Sequence, residues 1–115
     1  MFSELIWVKK NSLSESFCKK MIEKFEVDPY RAEGKVDQNN PRVDTSLKIT
    51  MDMGVTTNVA WKEEDSVLFK ALKISLDEYE LHLENISKEK CNERGWKLHP
   101  AHNYEIKDTG YKIQK

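Results

Sequence analysis

Histidine and cysteine, the side chains that most often hold metals or carry covalent chemistry, are scarce in this chain: three and two in 115 residues. The thiols, Cys18 and Cys91, form no CxxC unit, so the usual zinc and dithiol spacings are excluded. In a reducing compartment both are expected as unpaired, buried or inert thiols. The four glycines, Gly34, Gly54, Gly95 and Gly110, are too dispersed to cradle a phosphate, and no G-x-S-x-G elbow occurs. No apolar run approaches the roughly 20 residues a membrane helix needs, so no membrane partner is expected. A dominant charge is missing as well. Nineteen basic and 20 acidic residues leave a net charge of -1, which gives a phosphate backbone little to attract and argues against a nucleic-acid partner. The opening Met1-Phe-Ser-Glu-Leu-Ile-Trp-Val8 has neither the basic start nor the long apolar stretch of a secretory signal, so the expected setting is cytoplasmic.

What remains is ordinary globular material, with 38% hydrophobic and 34% charged residues and a length that fits one domain over residues 1–115. Leu5, Ile6, Trp7 and Val8 form a short apolar run that reads as an opening strand. Ser12 and Glu15 then have capping-box spacing, and Phe17, Cys18, Met21, Ile22 and Phe25 recur at helical intervals. Residues 28–45 carry two prolines and the Gln38-Asn-Asn-Pro41 cluster, the composition of an extended loop. From Leu47 to Met53 apolar residues alternate with Lys48, Thr50 and Asp52, a strand pattern that Gly54 closes. Trp61 is expected to bury its ring and anchor the next helix. Phe69, Leu72, Leu76, Tyr79, Leu83 and Ile86 make one stripe along that helix, over 63–92, which is expected to pack on a sheet and to stop at Gly95. A loop over Trp96 to His102 and strand-like residues around Tyr104 and Ile106 come next. The Asp108-Thr109-Gly110 turn leads into a last strand in which Tyr111 and Ile113 alternate with Lys112 and Gln114.

Two histidine sets invite a metal reading. His82-Leu83-Glu84 matches the letters His-x-Glu, but residues two apart on a helix point about 200° apart around its axis and cannot both reach one ion. His99 and His102 sit close together without an obvious carboxylate partner. No metal ligand and no catalytic residue is therefore assigned from these residues.

The terminal Gly110-Tyr-Lys-Ile-Gln-Lys115 resembles the strand that opens the catalytic barrel of iron(II)/2-oxoglutarate-dependent oxygenases of the prolyl 4-hydroxylase-like type, including phage forms. Leu13-Ser-Glu-Ser-Phe-Cys18 is similar to the helix start of that family, and Tyr79 fits its long backing helix. The resemblance implies an α+β fold comprising the supporting helices and first strands of a double-stranded β-helix (jelly-roll). It also implies dioxygenase chemistry with iron(II) and 2-oxoglutarate, and ascorbate as a further family cofactor. Its iron motif, His-x-Asp, would lie beyond Lys115, so the chain is expected to be the amino-terminal part of such an enzyme, inactive alone and binding no cofactor itself. Within the 115 residues the resemblance leaves Gln114, and after it Lys112, to project toward the cofactor. The alternative is a small α+β protein-interaction module without catalytic activity. On either reading, exposed strand edges would allow self-association or docking.

Overall fold

The computed structural model describes residues 2–95 and 108–115. It is an α+β fold of two helices and a three-stranded antiparallel sheet. The helices are α1 (Glu15–Glu26) and α2 (Lys62–Arg94); the strands are β1 (Ala32–Glu33), β2 (Met51–Gly54) and β3 (Lys112–Gln114), in the order β1-β2-β3. Contacts divide the chain into two compact units, Leu13–Leu68 with Thr109–Lys115 and Met1–Ser12 with Phe69–Asp108. The expected loop over Trp96 to His102 and the strand near Tyr104 and Ile106 lie outside the described residues.

The first unit holds the sheet. Its core is Phe25 from α1, Met53 from β2, Val55 and Trp61, with Met21, Leu68, Tyr111 and Ile113 packed against it. Ser14 starts α1: its backbone is extended and its hydroxyl accepts from the Phe17 N–H at 3.1 Å. Ser12, the cap expected from the capping-box spacing, instead donates to the Lys9 carbonyl within a turn that Asn11 enters at φ 60°. Two serines compete for one cap, and the turn consumes the first. Ile22, expected on the apolar face, is exposed, while Phe25 is buried. Lys24 ties α1 to the start of α2, donating to the Ala60 carbonyl (2.6 Å) and Glu64 (2.8 Å) and resting 4.8 Å from the Trp61 ring centroid.

The strand expected over Leu47 to Met53 is shorter. Asp44 accepts from the Ser46 N–H and hydroxyl through its side chain and from the Leu47 and Lys48 N–H groups through its carbonyl, which turns the chain where the strand would run. Exposure falls along the alternating apolar positions from 68% and 82% at Leu47 and Ile49 to 2% at Met53, so only the last is core. The terminal strand follows its alternation: β3 pairs with β2 in the register Asp52↔Gln114, Met53↔Ile113 and Gly54↔Lys112, placing Ile113 against the core. Gly110 sets it up with φ +100°; a Cβ there would also sit 2.7 Å from Thr56 Oγ1, the atom that accepts from the Tyr111 N–H.

The second unit contains most of α2 and the leading segment. Three acidic residues, Glu63, Glu64 and Asp65, fill the helix's first turn, where its dipole favours negative charge, and Gly95 follows its end with φ +65°. No strand of this unit is among its described residues, and two residues of the stripe line a cavity with the leading segment. Leu76 and Tyr79 share a cavity of about 210 Å³ with Trp7. The opening strand expected at Leu5 to Val8 is also absent: Phe2–Leu5 is a 3-10 turn. Its last carbonyls accept from helix side chains rather than from a neighbouring strand, Leu5 from the Tyr79 hydroxyl (2.6 Å) and Glu4 bonded to His82 Nε2 (2.8 Å). A four-residue apolar run carries no periodicity that separates a strand from a docked segment.

Candidate functional site: the Asp52 and Gln114 face

Alternation along β2 and β3 puts Asp52 and Gln114 side by side on the sheet face away from Met53 and Ile113. Gln114 donates to Asp52 Oδ2 at 3.1 Å, and Lys48 donates to the same oxygen at 3.1 Å. Thr50 Oγ1 and Asp52 Oδ1 are buried without a hydrogen-bond partner. Burial alone would raise the Asp52 carboxyl, but the bond from Gln114, the nearby Thr50 hydroxyl, and the bond and charge of Lys48 outweigh it and hold the carboxyl below its ordinary 3.8. An aspartate kept ionised positions donors; it is not poised to deliver a proton near neutrality. Gln114, the residue expected to reach a cofactor, is thus engaged with Asp52, whereas Lys112 is exposed at the other end of β3.

A cavity of about 160 Å³ adjoins this face, lined by Gly34, Lys48, Thr50 and Lys115 among others. Gly34 bonds to the Thr50 carbonyl at 2.8 Å, and a Cβ on it would lie 2.0 Å from Thr50 Oγ1 and 3.1 Å from Asp52 Oδ2. Gly34→Ala is therefore expected to destabilise the fold by about 2 kcal/mol through overpacking. Urea midpoints check this: adding Thr50→Ala removes the clashing oxygen and should return most of the loss, as coupled neighbours do.

A larger open groove of about 750 Å³ lies between Tyr30 and the segment Gly54 to Ala60, with Met53 and Asn58 in its wall. Behind it, Asp28 is buried and fully bonded, accepting from the Tyr30 N–H (2.8 Å), Trp61 Nε1 (2.8 Å) and Asn58 Nδ2 (3.1 Å). Sequence reasoning missed Asp28, since two of its three partners, Asn58 and Trp61, lie 30 and 33 residues downstream and no local pattern marks them.

The histidine sets do not assemble a metal centre among the described residues, where no three His, Cys, Asp or Glu side chains converge. His82 is bonded to the Glu4 carbonyl and lies 4.7 Å from the Trp7 ring, while Glu84 pairs with Lys88. These residues do not fit an iron ion. His99 and His102 lie outside the described residues. Cys18 and Cys91 are unpaired thiols, each partly buried. No helix among the described residues is long and apolar enough to cross a membrane. Comparison with protein-family models, curated proteins and solved structures finds no match to this chain.

Proposed function

We propose that this chain is the amino-terminal scaffold of an iron(II)/2-oxoglutarate-dependent dioxygenase of the prolyl 4-hydroxylase-like type, acting in the cytoplasm of its host cell. The observation that carries the reading is the placement of Gly110–Lys115. The segment that resembles the family's first barrel strand forms β3 at the margin of the sheet, with Ile113 on the core and Lys112 and Gln114 on the opposite face. In a jelly-roll the next strand would add along that margin, and the polar face of β3 would look into the site. The iron ligands would come from chain beyond Lys115, and this scaffold would contribute rigidity and the Lys112 and Gln114 side chains.

The test lies in that downstream chain. A longer product of the same gene is expected to carry His-x-Asp and to convert 2-oxoglutarate to succinate when given iron(II). The 115-residue chain should neither do so nor gain thermal stability from the two ligands, since such stabilisation needs a site in the folded state. Turnover by the 115 residues alone, or the lack of any His-x-Asp in the longer product, would overturn the reading.

A non-catalytic interaction module is favoured by a separate observation: Ile6, Val8, Val27, Tyr30, Ile49 and Val59 are all largely exposed. Single exposed apolar side chains are normal, but this many on so small a core point to surface that something else covers. On that reading the chain binds its partner while remaining a cooperative, monomeric fold.

A further inference from the structure

Four side chains of α2 at helical spacing, Ser75, Glu78, Tyr79 and His82, meet the leading segment. Each meets a different part of it. Tyr79 donates to the Leu5 carbonyl at 2.6 Å, and because a carbonyl only accepts, His82 Nε2 must donate to that of Glu4 at 2.8 Å. These are the last two carbonyls of the 3-10 turn, groups that a helix end leaves without backbone partners. Two residues on, Trp7 shares the cavity of about 210 Å³ with Ser75 and Leu76 and stands 4.7 Å from the His82 ring. Two further on, the Lys9 ammonium donates to Glu78 at 2.8 Å. Main chain, indole and ammonium are each met by their own group, which is how peptides are recognised. The hold is slight. Leu5 to Val8 stay between 42% and 74% exposed, and the core takes no residue from this segment.

We infer that this face of α2 is a peptide-binding site, that the leading segment fills it in cis, and that its partner is a peptide of the same build, a helical turn ending two residues before Trp-x-Lys. Recognition of this kind is weak, with a dissociation constant on the order of 100 µM. A short tether holds the chain's own segment at an effective concentration of about 1 mM, so the site is filled about nine-tenths of the time and masked about tenfold. The segment is therefore both a ligand and a plug. The inference rests on the contacts of this unit and not on the oxygenase reading.

Fluorescence anisotropy of a labelled peptide copying residues 1–12, titrated with the 115-residue chain, tests it. Lys9→Glu sets a second carboxylate against Glu78, and Trp7→Ala removes the indole, so each weakens the plug while the site stays intact. Either substitution should raise peptide affinity at least about threefold over the unsubstituted chain, and the two together about tenfold. Both positions lie outside the core, so the far-ultraviolet spectrum should be retained. Adding Tyr79→Phe and His82→Ala to the doubly substituted chain should weaken the peptide at least about fivefold, because both donors to its carbonyls are gone. A peptide with alanine in place of its tryptophan should lose at least about tenfold. No binding to the doubly substituted chain, equal binding to it and to the unsubstituted chain, or binding that survives the loss of Tyr79 and His82 overturns the inference. Succinate formation by the longer product, the test of the oxygenase reading, is unaffected by any of these results.

Discussion

Trp61→Ala is expected to remove about 4 kcal/mol of stability, measured by urea unfolding followed in the far ultraviolet. The ring is fully buried in a core of four residues, so its removal opens a cavity that Phe25, Met53 and Val55 have little freedom to fill. A loss of that size is a large part of the 5–15 kcal/mol that holds most domains together. The substitution also loosens Asp28, whose Oδ2 loses the 2.8 Å bond from the indole and keeps only that from Asn58, and removes the aromatic surface beneath Lys24. Trp61→Phe separates these effects. It keeps most of the packing and deletes the N–H, so about 1–3 kcal/mol should be lost. Equal losses in the two variants would show that the hydrogen bond, and not the ring volume, supports the core.

Asp28→Asn should cost about 3 kcal/mol at neutral pH, because an amide replaces one acceptor oxygen with a donor directed at the Trp61, Asn58 or Tyr30 N–H groups. It should also change the acid limb of the stability profile. In the native protein the bond from Trp61 draws the Asp28 carboxyl down, burial opposes it, and the Tyr30 and Asn58 bonds and the Lys24 charge reinforce the fall below 3.8. A carboxyl lowered on folding contributes stability that is complete above its unfolded value of 3.8 and is lost as pH falls from there through the folded value. Unfolding measured from about pH 5 to about pH 2.5 should therefore show a shallower decline in Asp28→Asn. Some decline persists, since Asp52 is lowered in the same direction. An unchanged slope would mean that Asp28 titrates alike in both states.

How far these features could be read in advance depended on whether their cause was local. The α2 stripe, with six apolar residues at three- and four-residue steps, defined a helix to within two residues at either end. Tyr111 and Ile113 likewise located the inner face of β3 by alternation alone. Leu47 and Ile49 alternated as cleanly, yet the Asp44 turn, built from short-range bonds that carry no periodicity, kept them out of the sheet. The capping serine shifted by two residues because Ser12 and Ser14 both suit the role. At the candidate site, Lys48, Thr50 and Asp52 were visible as one polar face, but their meeting with Gln114 depends on a strand pairing 62 residues apart. Trp7 docking beside Leu76 and Tyr79 was illegible for the same reason: nothing near residue 7 indicates what lies opposite.

At residues 4 and 5 the leading segment is gripped through its main chain, since Tyr79 and His82 hold the carbonyls of Leu5 and Glu4 and take no account of the side chains at those two positions. Every amino acid offers that carbonyl. Mutational tolerance should therefore be lopsided: positions 4 and 5 can drift in identity while the segment stays seated, whereas residues 79 and 82, together with the Trp7 ring and the Lys9–Glu78 pair, carry the burden of keeping it there.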